Sequence, residues 1–215
     1  MRWPDLVSER QKLGGGAAVL LATATLYGLN NHLHLREPAL LPVTWLDRSV
    51  PVVPWTVWVY FSYPLQFVAA FFLESSRRRL NRWLWAVLAV NLVSNVVFLL
   101  WPTTIERPGV PATDALTAAA FAKLHAIDTP ASCLPSLHVS TAFLASFVFL
   151  RRHTLRFALF FAWAVAIALS TLTTKQHHAV DVVAGLGLAH AAWRLWLRAP
   201  DPEPPSSGPS EVSRG

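Results

Sequence analysis

Six runs of apolar residues, at 13–29, 52–73, 83–101, 134–150, 157–173 and 178–197, fill more than half of this 215-residue chain and narrow what it can fold into. A helix that crosses the hydrocarbon core of a bilayer needs about 20 apolar residues, with a range of about 17 to 25. In lipid every backbone N–H and C=O must find an internal partner, and for single runs of this length the helix provides it. The predicted fold class is therefore all-α, an integral membrane bundle of six transmembrane helices, with Pro64 marking a kink in the second. The connection from 102 to 133 is long beside the usual helix link of about two to eight residues. Within it, 114–126 reads as a short amphipathic helix before the fourth span. Leu116, Ala120, Phe121 and Leu124 form its apolar face, Thr113 or Asp114 its cap, and the membrane interface its place. Residues 1–198 make one membrane domain, and the Pro-, Ser- and Gly-rich stretch 199–215 reads as a disordered cytoplasmic tail.

Composition decides between two readings of the net charge of +6. The chain is 53% hydrophobic and 14% charged, against about 25% charged in soluble domains. Its Lys and Arg lie in short clusters between apolar runs, which excludes the extended basic surface of a nucleic-acid binder and fits the sorting of loops across a membrane. Six crossings put both termini and the loops 74–82 and 151–156 on one side, with thirteen of the eighteen cationic residues. That side is predicted to be cytoplasmic. The charged start at 2–12, followed by the first apolar run without a small-residue cleavage site, reads as a retained span. Cys133, the single cysteine, has no intramolecular partner and reads as a small buried residue.

Polar groups at the edges of apolar runs need a chemical reason, because a carboxylate facing lipid costs about 3 kcal/mol on insertion scales. His177 and Asp181 are one helical turn apart, so the carboxylate can hold one ring nitrogen and leave the other basic. A hydrogen bond at a helix start is the plain alternative. Pro135-Ser136 before the fourth run looks like a helix start whose free amides bind anions, with His138 in its first turn. Packed together, the two motifs give two histidines and an anion cradle on the extracytoplasmic side. Asp128 reads as the cap of a loop turn, His178 as a neighbour of the reactive residue, and Asn91 and Asn95 as interhelical hydrogen-bonding groups. A zinc site built from His138, His177, His178 and Asp181 would leave the Pro-Ser step without a purpose; no metal or other cofactor is expected.

The string Ser170-Thr171-Leu172-Thr173-Thr174-Lys175-Gln176-His177-His178-Ala179-Val180-Asp181 resembles the third signature of the type-2 phosphatidic acid phosphatase superfamily: Ser-Arg, five residues, His, three residues, Asp. Pro135-Ser136-Leu137-His138 resembles the second, Pro-Ser-Gly-His, and Arg107-Pro108 the end of the first. The resemblance implies that His177 attacks phosphorus to form a phosphohistidine, Asp181 holds its ring, His138 protonates the leaving oxygen, and Arg107 and Ser136 hold phosphate oxygens. Leu100 stands where the family has a lysine and Thr171 where it has a second arginine, so two cationic ligands are missing. Lys175 is a candidate to supply one charge, an interfacial anchor its other reading. The pattern resembles most the branch of inositol phosphorylceramide synthases and inositol phosphotransferases, where an alcohol replaces water as acceptor. The implied partners are a lipid phosphate and the membrane; no oligomeric state follows. A phosphatase using water, and a non-catalytic scaffold or transporter that keeps the fold, are the competing readings.

Overall fold

A computed structural model describes residues 4–8, 11–31, 33 and 35–199. Apart from Ala199, the expected disordered tail lies outside the described residues. The described chain is helical: α1 (Lys12–Asn30), α2 (Trp45–Ser49), α3 (Val57–Phe61), α4 (Tyr63–Leu73), α5 (Arg77–Leu100), α6 (Ala115–Ile127), α7 (Leu137–Phe147), α8 (Thr154–Thr173) and α9 (Ala179–Ala192). Among the described residues four stretches are long and apolar enough to cross a membrane: Lys12–Asn30, Pro54–Leu73, Arg77–Leu100 and Thr154–Thr173. The second is broken at Ser62, between α3 and α4. Pro64 falls in the first turn of α4, where its missing N–H costs nothing.

The fourth apolar run departs from the expected span. Its helix, α7, has only 11 residues, about 17 Å at 1.5 Å per residue. Ten of the 11 are buried and His138 is the exception, the signature of a core helix enclosed on every side, in which Ser140, Thr141 and Ser146 turn their hydroxyls back to carbonyls of their own helix. It is sheathed by α4, α5, α8 and α9. Ser136 starts it by accepting the Val139 N–H at 3.3 Å, and a tight turn through Phe149 and Leu150 ends it. The sixth run gives α9, 14 residues long, prolonged by a π-helical turn over Trp193–Leu197.

α7 and α9 approach closely because Gly185 lacks a side chain. A Cβ there would lie 2.6 Å from the Ser136 carbonyl oxygen and 3.2 Å from Val139 Cβ. This crossing brings the two histidine motifs, 39 positions apart, to one end of the bundle. The loops at that end are tied together by β1 (Ala39–Leu40) and β2 (Thr103–Thr104), a parallel pair, and by a bridge from Thr103 to Ser132. The Leu134 N–H donates to Thr103 Oγ1 at 3.0 Å. α6 forms as expected, with Asp114 accepting the Thr117 N–H at 3.0 Å. Its buried face is Thr117, Ala120, Phe121 and Leu124, the last three packed on Val57 and Tyr60 of α3. Leu116, expected on that face, is 68% exposed.

Candidate active site

His177 is set by the turn that joins α8 to α9. The Thr171 carbonyl accepts the N–H groups of Gln176 at 3.0 Å and His177 at 3.2 Å. Lys175 closes this turn with φ of 55°, a left-handed conformation uncommon for a side chain of its kind. Its ammonium, read from the sequence as a phosphate ligand or an interfacial anchor, donates to the carbonyls of Asp47 at 2.7 Å and Val50 at 2.5 Å. α9 then opens with Asp181 turned back on the turn. Asp181 Oδ2 accepts the His178 N–H at 2.9 Å and lies 3.3 Å from His177 Nδ1, so Nε2 is the nitrogen left for chemistry. The Asp181 side chain is fully buried.

Asp47 braces this turn from across the fold. Its Oδ1 accepts the Ala179 N–H at 2.7 Å, and its Oδ2 accepts the N–H and hydroxyl of Thr44 at 2.8 and 2.6 Å. Burial pushes this carboxyl up, but the hydrogen bonds from Thr44 and Ala179 outweigh it and hold it below the ordinary range. The Thr44-to-Asp47 spacing is that of a capping box, a signal visible in the sequence.

His138 leaves the first turn of α7 between two tyrosines. Its ring lies 4.4 Å from that of Tyr60 and 4.8 Å from that of Tyr63. The Tyr60 hydroxyl is 3.3 Å from His138 Nδ1. The rings of His138 and His177 are 5.9 Å apart, and both line a small polar cavity with Arg107, Asp128 and Gln176. Arg107 reaches it from the connection between α5 and α6, donating to the Asp128 carbonyl at 2.7 Å and lying 3.6 Å from the Asp128 carboxylate. Of the residues that line this cavity, Arg107 Nε, Ser132 Oγ and Gln176 Oε1 are buried without a protein hydrogen-bond partner. An unmade hydrogen bond of this kind costs about 1 to 3 kcal/mol, so such a cluster makes this cavity the candidate site.

Of the residues singled out in the sequence, the structure brings together His138, His177, Asp181 and Arg107. Ser136 and Lys175 do not line the cavity. The Ser136 hydroxyl caps α7, and its N–H donates to the Asp181 carbonyl at 3.2 Å, so it links the two motifs. Thr171 turns its hydroxyl back to the Ala168 carbonyl at 2.7 Å, and Leu100 is exposed. Neither replaces the missing cations. Cys133 is buried beside the site, and burial pushes its thiol well up, away from nucleophilic use. Among the described residues no group of three or more His, Cys, Asp or Glu is arranged to hold a metal.

The polar cavity adjoins an apolar cleft of about 360 Å³ between α1, α4, α5 and α7. Tyr27, Leu137 and His138 border both. Leu20 and Phe67 continue the cleft into a groove of about 260 Å³ along the seam of α1 and α4. Sequence reasoning missed Tyr27, Tyr60 and Asp47, and took Asp128 for a loop cap. Asp128 is instead a hub that accepts hydrogen bonds from the Tyr27 and Tyr60 hydroxyls and pairs with Arg107.

The model of a family described as the PAP2 superfamily matches residues 24–195, most of the chain and every residue of this cavity. No curated protein matches the chain significantly.

Proposed function

Since the chain belongs to the PAP2 superfamily, we propose that it is a membrane phosphotransferase or phosphatase acting on a lipid-linked phosphate ester through a phosphohistidine on His177. The observation that carries this is the pair of histidines 5.9 Å apart in one cavity with Arg107, each with Nδ1 beside an oxygen. His177 Nε2 attacks phosphorus while the ester oxygen leaves with a proton from His138. In the return step an acceptor O–H gives its proton to His138 as its oxygen displaces His177. Arg107 stabilises the charge on the phosphoryl oxygens, and Asp181 holds the His177 ring; positioning and charge do most of the work in phosphoryl transfer. Ser136 and Lys175 serve the site by fixing its backbone.

A lipid substrate accounts for the adjoining cleft, whose volume lies within the range of about 300 to 1,000 Å³ common for ligand sites. Its tail lies in the cleft while its phosphate reaches the histidines. We read α9 and the short α7, which is sheathed by its neighbours and too short to cross on its own helix length, with the turns that flank them as the remaining two of six crossings, and α6 as resting at the interface beside the site. The positive loops hold both termini in the cytoplasm and the site on the extracytoplasmic side. The Pro-Ser-Leu-His step and the sparse cation set support transfer to an alcohol such as inositol over release to water.

Purified protein in detergent, given a labelled lipid phosphate with and without inositol, tests this. We expect His177-dependent turnover, with label passing to inositol. Free phosphate as the sole product would assign a phosphatase. No turnover with any lipid phosphate would leave a scaffold that keeps the fold and overturn the proposal.

A further inference from the structure

His177 has its orienting carboxylate one turn away, in a spacing the sequence displays. His138 has none within its own helix. We propose that Tyr60 and Asp128 are positioning residues for His138, a hydroxyl and a carboxylate in series that fix its tautomer and support its protonated form. The proposal rests on the reading of His138 as the leaving-group acid.

Proton counting makes the argument. An ionised carboxylate only accepts hydrogen bonds, and a phenol has one proton to give. The Tyr60 hydroxyl donates that proton to Asp128 Oδ2 at 3.3 Å. Its oxygen therefore faces His138 Nδ1, also at 3.3 Å, as an acceptor. Nδ1 must then carry a hydrogen, and Nε2 is the nitrogen that takes up and releases the catalytic proton. Both contacts are long for hydrogen bonds, as catalytic contacts often are in the absence of substrate.

The surroundings give the chain its purpose. The titratable and charged groups facing His138 are Tyr60 and Tyr63 from α3 and α4, Tyr27 from α1, Arg107, Asp128 and Cys133 from the connection before α7, and His177 before α9. Arg107 and a protonated His177 oppose positive charge on His138. Asp128 is the one carboxylate lining this cavity among the described residues. The tilted Tyr60 ring, 4.4 Å away, adds its face to the same end. Asp128 also pairs with Arg107 and accepts from the Tyr27 hydroxyl, so one carboxylate joins the phosphate ligand, the acid and the first helix.

In the forward step the His177 Nε2–P bond forms, the P–O ester bond breaks, and the Nε2 proton of His138 goes to the departing oxygen. His138 is left neutral, with Nδ1–H still directed at Tyr60. In the return step the acceptor oxygen bonds phosphorus, the N–P bond breaks, and the acceptor proton returns to His138 Nε2. An acidic leaving group needs that first proton far less than an alkoxide does.

The test therefore compares two donors in detergent, an alkyl lipid phosphate ester and its para-nitrophenyl counterpart, with wild type, Tyr60→Phe, Asp128→Asn and His138→Ala. We expect the first two variants to lose about tenfold to a hundredfold more kcat on the alkyl ester than on the nitrophenyl ester, within the range that general acids contribute. The alkaline limb of their pH profile should move to lower pH, since less support for the imidazolium deprotonates it sooner. Nitrogen NMR of histidine-labelled wild type, assigned with His138→Ala, should find the neutral His138 ring protonated at Nδ1. Equal losses on both donors, an unmoved alkaline limb or an Nε2–H tautomer would each overturn the chain. If His177 is still phosphorylated in that case, the proposed function survives without it; if wild type turns over neither donor, both fall.

Discussion

The two ends of α7 solve opposite problems with an arginine each. At its C-terminal end Arg79, from the start of α5, is buried and donates to the carbonyls of Phe147, Val148, Leu150 and Leu197. It closes the helix ends where unpaired carbonyls and the negative end of the dipole accumulate. At its N-terminal end Arg107 keeps Nε without a protein partner and shares its cavity with two other buried polar atoms in the same condition, Ser132 Oγ and Gln176 Oε1. The helix is thus saturated where it needs only to be stable and left with an unpaired guanidinium donor, Arg107 Nε, at the end where the proposed phosphate would accept from it.

That contrast can be broken or sharpened by substitution. The largest effect belongs to the open end. Asp181→Asn keeps the shape but removes the charge that holds His177, and should lower turnover by about a thousandfold or more while thermal stability changes little. At the saturated end the order reverses. Arg79→Met should cost about 3 kcal/mol or more, because several buried carbonyls lose a charged donor. Read as a drop in the detergent unfolding midpoint, it should leave kcat of the folded fraction unchanged. A variant at Arg79 that kept its stability and lost turnover would erase the distinction.

Between the ends, Gly185→Ala pushes α9 off the Ser136 carbonyl at a cost of about 1 to 3 kcal/mol for overpacking. It should lower both the unfolding midpoint and turnover, since the same crossing sets the distance between the histidines. The smallest effect concerns the brace at Asp47. A carboxyl held below its ordinary range contributes stability that is present at neutral pH and is lost as pH falls through its folded value. The midpoint difference between wild type and Asp47→Asn should therefore be constant near neutrality and shrink below about pH 4. A difference that grew on acidification would contradict this role.

The parts of the molecule that depend on local spacing were legible in the sequence. His177 and Asp181, one turn apart, meet as expected, and Asp114 caps α6 as expected. The apolar runs marked the helices, but hydropathy cannot tell a lipid-facing span from a helix buried on all sides. α7, with the same apolar density and 11 residues, is the case in point. The hub at Asp128 joins residues 101 and 68 positions away, and Asp47 braces a turn 132 positions away. No pattern along the chain announces such partners. Lys175 shows the same limit: its nearness to His177 in sequence did not foretell that its ammonium would close on the 47–50 loop.

The central claim is that the unsaturated end of α7 carries phosphate on His177. Rapid quenching of purified protein with a radiolabelled lipid phosphate donor tests it directly. An acid-labile, base-stable label that maps to His177 and vanishes in His177→Ala is the predicted result. An acid-stable label, or one that persists in that variant, would contradict it.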